Sequence, residues 1–412
     1  MGEGMALQDH TTTESEPATG RARFRGSNQL GMRAHNERLV LSLIRSRGPM
    51  AKAELARISG LSAQTVSVIM RALEAEGLLI KGVPVRGKVG QPSVPMGLNP
   101  DGAYFLGLKI GRRSVELVLT DFLGDVIFRT MQTHDYPKPA TTLQFAREEI
   151  DALIYQLTPD EEKRLAGLGI AMPFFLWDWA QTLNVPEAEM AGWREVDIRA
   201  DLAALYDFPV FLENDATAAC GAEVVFGRSA ELRDFLYFYV GYFIGGGVVL
   251  NGALFSGRGN AGAMGPLPVP AADGSVQQLI DVASLVVLEN RLKAAGAETE
   301  CIWESAEGWQ IDTDILLDWI DTAAAGIAHA IVSACSIIDF RAVMIDGWLP
   351  IKIRNKLVVE VERKLDEQNL TGLARPVVWN GSVGADARVL GAASLPLSER
   401  FLLEANAFGN VS

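Results

Sequence analysis

Two stretches of the sequence share one design, and this repetition constrains the fold more than any other feature. The first, YFLGLKIGRRSVELVLTDFLGDVI (residues 104–127), consists of short apolar strands joined by turns that contain glycine. The second, LYFYVGYFIGGGVVLNGAL (residues 236–254), repeats the apolar strand, the glycine turn, the second strand and an Asn-Gly turn. In each case a segment with a helical pattern follows the hairpin. Two hairpin-led halves of this kind predict a duplicated α/β unit with a cleft between its halves.

The spacing of apolar residues predicts the elements that surround these hairpins. Helices are expected over residues 143–157, 197–206, 315–336 and 355–369. Further buried strands are expected over residues 165–171, 210–212, 342–346 and 376–380.

The composition is that of a globular protein. The chain has 412 residues, 49% of them hydrophobic and 21% charged, which suffices for two or three domains with apolar cores. We find no run of about 18 uninterrupted apolar residues and no apolar segment of a signal peptide near the start. Cys220, Cys301 and Cys335 show no spacing typical of a disulfide framework or a zinc knuckle. We therefore expect a cytoplasmic protein with reduced cysteines and no membrane partner.

The charge is unevenly divided along the chain. The net charge is −14, yet residues 21–100 hold 13 basic and 4 acidic side chains. From Asp101 onward, 24 basic side chains face 43 acidic ones, a net charge of −19. A basic module joined to an acidic one predicts a polyanion partner for the first and repulsion of that polyanion by the second.

The basic segment has the pattern of a helix-turn-helix. A helical pattern over residues 36–47 ends at Gly48, and a second short helix follows it. Gly60 can adopt a positive φ in the next turn, and Ser62 can cap a third helix over residues 62–76. One face of that helix is apolar, formed by Val66, Ile69, Met70 and Leu73.

The opposite face of the third helix is polar or small. Short side chains near the start of such a helix can reach base edges in the major groove, with Gln suited to adenine and a Thr methyl or Val to thymine. The predicted reading residues are Ser62, Gln64, Thr65, Ser67, Val68 and Arg71. The stretch VPVRGKVGQPSVPMGL, residues 83–98, predicts a hairpin whose tip forms a wing on the DNA backbone or in a minor groove. The wing residues are Arg86, Lys88 and Gln91.

An alternative is a small three-helix domain that mediates protein contacts through a solvated polar face. Charge, capping, the turn glycine and the wing coincide over one segment, and this favours DNA binding.

The whole chain resembles a ROK-family transcriptional regulator, from the group named for repressors, open reading frames and kinases. The resemblance is carried by GLSAQTVSVIMRALEAEGLL in the basic segment, then by GLGIAMP, AGW, LENDATAACGAEVVFG, IGGGVVLNGALFSGRGNAGAMG and VLGAA. It implies an α/β fold, with an N-terminal winged helix-turn-helix before a two-lobed actin-like ATPase (ribonuclease H-like) ROK domain. The expected parts are a flexible arm (1–30), the winged helix (31–98) and the ROK domain (101–412), with lobe 1 at about 101–213 plus 390–412 and lobe 2 at about 214–389.

Departures from the family pattern bear on ATP. Sugar kinases of the family carry an Asp-x-Gly-Gly-Thr loop, whose carboxylate serves a metal and whose backbone faces the phosphates. Here the loop is LKIGRRS, with Lys109 for the acid and Arg112 and Arg113 for the small residues. The second kinase loop, Gly-Thr-Gly-x-Gly, is VGYFIGGG, with Tyr242 and Phe243 as intruders. Bulky side chains obstruct the backbone approach that phosphates need.

A third glycine turn of the family lies near the adenosine and is IDGWLP here, with Asp346 and Trp348 as intruders. Three independent losses predict that ATP is not a substrate, that no side chain is catalytic and that no cofactor is bound. Arg112 and Arg113 either bind an anion or are surface charge on a vestigial loop.

Metal and sugar contacts of the family are altered as well. Members often hold a structural zinc with an E-x-G-H motif and a C-x-C-G-x-x-G-C cluster, where this chain has Ala263 for the Glu, Pro266 for the His and Gln278 for the last Cys. The resemblance therefore implies no metal site. In sugar-binding relatives the Glu, the His and a later Glu accept hexose hydroxyls, and the later Glu corresponds to Ile280.

The Asn214–Asp215 pair keeps the family pattern. In the kinases this Asp is the base that deprotonates a sugar hydroxyl. With the phosphate groups lost, the pair is interpreted as hydrogen-bonding groups for a polyol, or as a cap and hinge between the lobes. The ligand-binding set implied by the resemblance is Asn214, Asp215, Trp193 and Gly246. The nearby PFFLWDWAQ offers Phe174, Phe175, Trp177 and Trp179, which could stack on a ligand, fill vacated space or form a subunit contact.

The sequence thus predicts a regulator of carbohydrate uptake and catabolism genes, and we expect it to act as a repressor. Its expected partners are double-stranded DNA with an inverted-repeat operator, a carbohydrate-derived effector, and further copies of itself in a homodimer or tetramer. One alternative is a sugar kinase that phosphorylates hexoses with ATP. Another is a regulator that has lost small-molecule sensing and responds to a protein.

Overall fold

A computed structural model describes residues 29–84, 93–179, 185, 187–228, 232–271 and 273–403. Within them the chain forms a small helical domain followed by two five-stranded sheets with helices on their faces. The predicted helices and strands are present, and their ends differ from the predicted positions by up to four residues. Val377–Asn380 is mostly exposed and Val210–Asn214 is half-buried, so these two strands are not buried as the sequence predicted.

The N-terminal domain has three helices and a two-stranded hairpin. These are α1 (Gln29–Arg47), α2 (Lys52–Ser59), α3 (Ala63–Ala75), β1 (Leu79–Lys81) and β2 (Met96–Leu98). Gly60 ends α2 with φ of 70°, and the Ser62 hydroxyl accepts the N–H of Thr65 at 3.1 Å, as predicted. Because α1 begins at Gln29, residues 29 and 30 belong to a helix and not to the expected arm, whose other residues lie outside the described ranges.

The first sheet of the larger domain begins with the first predicted hairpin. Its strands are β3 (Tyr104–Ile110), β4 (Ser114–Thr120), β5 (Val126–Thr133), β6 (Leu165–Met172) and β7 (Val210–Asn214), in the order β5-β4-β3-β6-β7. β4 runs antiparallel to β3 and β5, whereas β6 and β7 are parallel to β3. Its helices are α4 (Pro139–Gln156), α5 (Pro159–Glu162), α6 (Glu187–Ala191) and α7 (Ile198–Ala203). Helix α8 (Asp215–Phe226) follows β7 directly and packs mainly on the second sheet.

The second sheet repeats this topology. Its strands are β8 (Phe235–Val240), β9 (Ile244–Leu250), β10 (Ala253–Leu254), β13 (Ala342–Gly347) and β14 (Val377–Asn380), in the order β10-β9-β8-β13-β14. A small hairpin pairs β11 (Pro268–Pro270) with β12 (Val276–Gln278). Its helices are α9 (Ile280–Ala283), α10 (Leu285–Ala294), α11 (Glu300–Glu304), α12 (Thr313–Cys335) and α13 (Ile351–Asp366), and α14 (Ala387–Phe401) follows β14 in the chain. The same strand order in both sheets is the duplication that the sequence predicted.

The C-terminal helix α14 returns to the first sheet and packs closely on it. A Cβ at Gly107 of β3 would lie 2.6 Å from the carbonyl oxygen of Val389, and a Cβ at Gly169 of β6 would overlap that of Ala392. Glycines in both strands therefore let the helix backbone approach the sheet. We refer to the first sheet with α14 as lobe 1 and to the second sheet as lobe 2.

Helix α12 is long and apolar enough, by length and composition alone, to cross a membrane. Half of its most apolar window is buried, and it packs against α13, α9 and α10 in the core of lobe 2. A buried core helix accounts for this composition.

Candidate DNA-reading helix and interlobe cleft

Helix α3 presents the two faces that the sequence predicts. Val66, Ile69, Met70 and Leu73 are buried in the domain core. On the other side, Gln64 and Arg71 are exposed, Val68 is 51% exposed, and Thr65 and Ser67 are half-buried. The predicted reading residues therefore share one accessible surface.

Two of these residues also have local structural roles. Ser62 caps α3, and its hydroxyl lies 2.8 Å from that of Thr65. Arg71 donates from Nε to the carbonyl of Ser67 at 3.1 Å, which leaves its two terminal nitrogens for other partners. Of the predicted wing, the structure describes the paired strands β1 and β2 but not the tip, so Arg86, Lys88 and Gln91 lie outside the described residues.

Arg45 joins the N-terminal domain to lobe 1. Its guanidinium donates to the carbonyls of Phe122 and, at 3.3 Å, Leu123, and it lies 5.4 Å from the Phe122 ring centroid. Burial lowers the pKa of Arg45 to about 10, although the Asp121 carboxylate opposes this shift. In the sequence, Arg45 is one of the 13 basic residues of the segment expected to bind a polyanion. Nothing in the residues around it predicts its contact with lobe 1.

The cores of the N-terminal domain and lobe 1 are continuous. One buried cluster contains Val40 and Leu73 together with Phe105 of β3 and Phe401 at the end of α14. The rings of Phe105 and Phe401 lie 5.8 Å apart in an edge-on arrangement. The two domains are thus packed against each other and not merely tethered.

Lys109 lies at the cleft end of β3, beside the turn to β4. It is 5% exposed and pairs with Glu116 at 2.9 Å while donating to Ser114 at 3.1 Å. Glu116 also faces Arg129 at 3.5 Å. Burial lowers the pKa of Lys109 and the Arg388 charge lowers it further, against the pull of Glu116. Lys109, a buried cation, thus occupies the position where the sugar kinases that this sequence resembles have an Asp.

Two arginines of the β3–β4 turn reach across to lobe 2. The Arg112 guanidinium lies 5.3 Å from the ring centroid of Tyr242, in the β8–β9 turn. Arg113 lies 5.0 Å from the ring of Trp303 and pairs at 2.7 Å with Glu289, whose side chain is 3% exposed. These contacts close this end of the cleft with cation–π and ionic interactions.

The Asn214–Asp215 pair begins helix α8. The Asn214 side-chain oxygen accepts the N–H groups of Ala216 and Thr217 at 3.0 and 3.3 Å, so it is the helix cap. Asp215 accepts from Arg388 at 3.3 Å, and both side chains are about 15% exposed. Sequence reasoning missed Arg388, although it directly precedes the quoted VLGAA.

Trp193 and the aromatic segment border a cavity of about 1780 Å³. Phe174, Phe175 and Trp177 line this cavity with Trp193, and it extends along α8 and α14 to α1. Trp193 is 4% exposed and donates from Nε1 to the carbonyl of Pro137 at 2.8 Å. Its indole N–H therefore already has an acceptor within the protein. Phe175 is half exposed, and its backbone φ is 58°. The Trp179 side chain lies outside the description.

The cavity lining includes residues of β7 up to its penultimate position. Glu213 lines the cavity, and burial raises its pKa against the hydrogen bond from the Asn214 N–H. Asp215, two residues later, faces Arg388. Of the predicted ligand set, Trp193 borders the cavity and Asp215 pairs with Arg388.

The third glycine turn contains a buried ion pair. Asp346, at the end of β13, is fully buried against Arg354 of α13 and accepts the N–H groups of Gly347 and Gly384 at 2.9 and 2.8 Å. Tyr237 donates its hydroxyl to the same carboxylate at 3.3 Å. Groups of the protein therefore satisfy the Asp346 carboxylate.

Comparisons with known proteins agree with this architecture. Residues 105–399 match the family model described as "ROK family". The chain belongs to the ROK family. Residues 33–80 match the model described as "Winged helix-turn-helix DNA-binding". Together the two domains make the chain a DNA-binding regulator of this family.

Two curated relatives are 26% identical to the chain. An uncharacterized protein of Sinorhizobium fredii aligns over 91% of this chain and 93% of its own length. The xylose repressor of Bacillus subtilis aligns over 59% of this chain and 62% of its own length, so that match spans less than two thirds of the repressor.

Solved structures share the fold. A ROK family transcriptional regulator, a homologue of the Escherichia coli MLC protein, has a TM-score of 0.63 at 21% identity over 90% of this chain and 97% of that one. A ROK family glucokinase from Streptomyces griseus in complex with glucose and AMPPNP has a TM-score of 0.54 at 18% identity. The match covers 71% of this chain and 99% of the glucokinase. The kinase match covers less of this chain than the regulator match does.

The remaining family positions fall in lobe 2 of the ROK domain. Gly246 is buried in β9, where a Cβ would lie 2.8 Å from Met264, so close packing accounts for the glycine and its position gives the predicted ligand role no support. Ala263, Pro266 and Gln278 are exposed around the β11–β12 hairpin. Ile280 donates its backbone N–H to Gly265 at 2.9 Å.

Proposed function

We propose that this ROK protein is a cytoplasmic transcriptional repressor of carbohydrate uptake and catabolism genes, which binds an inverted-repeat operator as a homodimer or tetramer and responds to a carbohydrate-derived effector. The observation that carries the proposal is the accessible polar face of α3 on a domain that is packed onto lobe 1. The similarity to xylose repressors supports the class of effector.

Helix α14 offers a route between effector and DNA. Its first turn carries Arg388, which pairs with Asp215 in the cleft, and its last residue, Phe401, lies in the core shared with the N-terminal domain. A polyol hydroxyl that donates to Asp215 competes with Arg388 for the carboxylate. Binding then favours a different seating of α14 and shifts the population of DNA-binding geometries.

The same residues argue against phosphoryl transfer. Asp215 is paired with a cation and is not a free base, and Lys109, Arg112 and Arg113 make internal contacts at the turn that the family resemblance assigns to phosphates and a metal. The fold is nonetheless shared with glucokinases. A coupled ATP-consumption assay over a hexose panel tests this alternative, and turnover that disappears in Asp215→Asn would establish a kinase.

DNA binding is tested by gel shift with fragments from upstream of neighbouring operons. Gln64→Ala and Val68→Ala should weaken specific binding by about 1–3 kcal/mol each, because both side chains face outward from α3. Arg341→Gln, an exposed arginine in lobe 2, is the matched control. Footprinting should show two half-sites about one helical turn apart or a multiple of that spacing. Absence of binding to any upstream fragment at low salt would refute the proposal.

Effector sensing is tested with Asp215→Ala. We expect the DNA binding of this variant to stop responding to the active sugar, because the carboxylate that a polyol hydroxyl would engage is gone. Intact DNA binding with no calorimetric signal for any sugar would instead favour a protein partner as the signal.

A further inference from the structure

Helix α8 runs from the interlobe cleft to the N-terminal domain. Its first residue, Asp215, pairs with Arg388, and its last residue, Phe226, packs against two buried clusters. One cluster is the core that the N-terminal domain shares with lobe 1, and the other lies between α8 and the second sheet. The Phe226 ring therefore contacts both the support of the DNA-reading helix and the packing of lobe 2.

Hydrogen bonds fasten the end of α8 to lobe 2. Glu223, three residues before Phe226, is fully buried, and its carboxylate accepts the Ser382 backbone N–H at 2.8 Å and the Ser382 hydroxyl at 2.6 Å. The Arg228 N–H donates to the same hydroxyl at 2.9 Å. Ser382 follows β14, the edge strand of the second sheet. Phe226 is therefore carried by lobe 2.

The Phe226 ring lies against the β4–β5 turn of lobe 1. A Cβ placed on Gly124 of this turn would clash with the ring, so a glycine is needed there to admit it. The Asp121 carboxylate fixes the turn, since one of its oxygens accepts the N–H groups of Leu123, Gly124 and Asp125 at 2.8, 2.9 and 2.9 Å. A turn held in this way is a firm surface for the ring.

Arg45 of α1 lies over the same ring. Its guanidinium carbon is 5.9 Å from the centroid of Phe226 and 5.4 Å from that of Phe122. The guanidinium also donates to the carbonyls of Phe122 and Leu123. One side chain of the N-terminal domain thus contacts lobe 1 through hydrogen bonds and contacts α8, which is fastened to lobe 2, through the face of a ring.

Helix α8 crosses α14 close to the cleft. A Cβ placed on Gly391 of α14 would overlap the carbonyl oxygen of Ala218, so the two helix backbones touch there. Asp215 lies three residues before Ala218, and Phe226 lies eight residues after it. At a rise of about 1.5 Å per residue, a tilt of α8 about this crossing moves Phe226 about two to three times as far as Asp215.

We infer that Phe226 and Arg45 are positioning residues through which lobe 2 sets the seat of the DNA-binding domain on lobe 1. The inference rests on the proposed effector response and gives it a second route beside α14. When a ligand competes for Asp215, α8 tilts about its crossing with α14, the Phe226 ring shifts against the β4–β5 turn, and Arg45 follows the ring. Because Arg45 belongs to α1, the seat of α3 changes with it.

Hydrogen–deuterium exchange of the full-length protein tests this inference without effector or operator. Asp215→Ala breaks the pair with Arg388, and we expect the amides of α1 to exchange at least about threefold faster than in the wild type. In a Phe226→Leu background, Asp215→Ala should leave the exchange of α1 unchanged. Ile337→Ala, at an 84% exposed side chain of lobe 2, is the matched control, and Asp215→Ala should act in that background as it does in the wild type.

Arg45→Lys is a second variant, because it keeps the positive charge but not the planar group that lies over the Phe226 ring. It should likewise remove the effect of Asp215→Ala on α1. An effect of full size in either the Phe226→Leu or the Arg45→Lys background, or no effect in the wild-type background, would overturn the inference. Gel shifts on the same preparations report on DNA binding separately, so failure of this route and failure of the proposed function are distinguished.

Discussion

The two equivalent hairpin turns of the duplicated unit differ in chemistry. The β3–β4 turn of lobe 1 carries Arg112 and Arg113, and the β8–β9 turn of lobe 2 carries Tyr242 and Phe243. Both follow the central strand of a sheet with the same strand order. They face each other across the cleft, and Arg112 lies over Tyr242. The two turns occupy equivalent positions of the duplicated unit, but the turn of lobe 1 carries cations and the turn of lobe 2 carries aromatic rings.

Each lobe also has one buried ion pair near this cleft, and their surroundings differ. Lys109–Glu116 in lobe 1 continues to Arg129, which also pairs with Asp386 at 2.7 Å. Asp346–Arg354 in lobe 2 is completed by backbone N–H groups. Loss of Lys109 therefore leaves Glu116 with Arg129 as a partner, whereas loss of Asp346 leaves Arg354 without a carboxylate among the described residues.

The largest effect is expected for Asp346→Ala. This change leaves the Arg354 guanidinium buried without its carboxylate and should cost about 3–5 kcal/mol of unfolding free energy. Urea unfolding followed by circular dichroism measures it. Asp346→Ala combined with Arg354→Met removes both charges and should recover part of the loss. Equal stability of the single and double variants would contradict the explanation.

Lys109→Met should cost less, about 1–3 kcal/mol, because Glu116 keeps Arg129 as a partner and the buried ammonium is replaced by an apolar side chain of similar length. The same urea titration compares the two lobes directly. A loss as large as that of Asp346→Ala would mean that Arg129 does not compensate Glu116.

The cation–π contact between the turns should be smaller still. A double-mutant cycle of Arg112→Ala and Tyr242→Ala should give a coupling energy of about 0.5–1 kcal/mol. Arg112→Ala with Trp303→Ala is the matched control, since Trp303 is the partner of Arg113. Additive effects in both cycles would show that the turns merely lie side by side.

The smallest effect concerns pH. His134 lies beside the lobe 1 turn, 3.0 Å from the Gly111 carbonyl, and burial lowers its pKa, with Arg112 and Lys109 adding to the shift. The unfolded chain therefore binds a proton below about pH 6.5 before the folded protein does, and stability should fall as the pH drops below that value. His134→Gln should make the melting temperature less dependent on pH in this range. An unchanged dependence would exclude His134 as its source.

The sequence predicted what depends on local pattern. The repeated hairpins implied the duplicated sheets, and the periodicity of α3 identified its buried and exposed faces. The contacts of Asp215 and Arg112 could not be predicted from the sequence. Each contact joins residues more than a hundred positions apart, and it depends on where α14 packs or on how the two lobes approach each other. Asn214 could be interpreted as a helix cap from sequence, whereas no spacing in the sequence indicates that Asp215 pairs with Arg388.

The position of α14 has a consequence for synthesis on the ribosome. Val389, Ala393, Leu397 and Phe401 complete the core that begins with Val40 and Leu41, and the Leu403 N–H donates to the Ser42 hydroxyl at 3.0 Å. The ribosome makes the N-terminal domain long before α14, so this domain lacks part of its apolar cover until α14 has been translated. A nascent chain that stalls before α14 exposes this surface, so α3 acquires its support on lobe 1 only after α14 has been made.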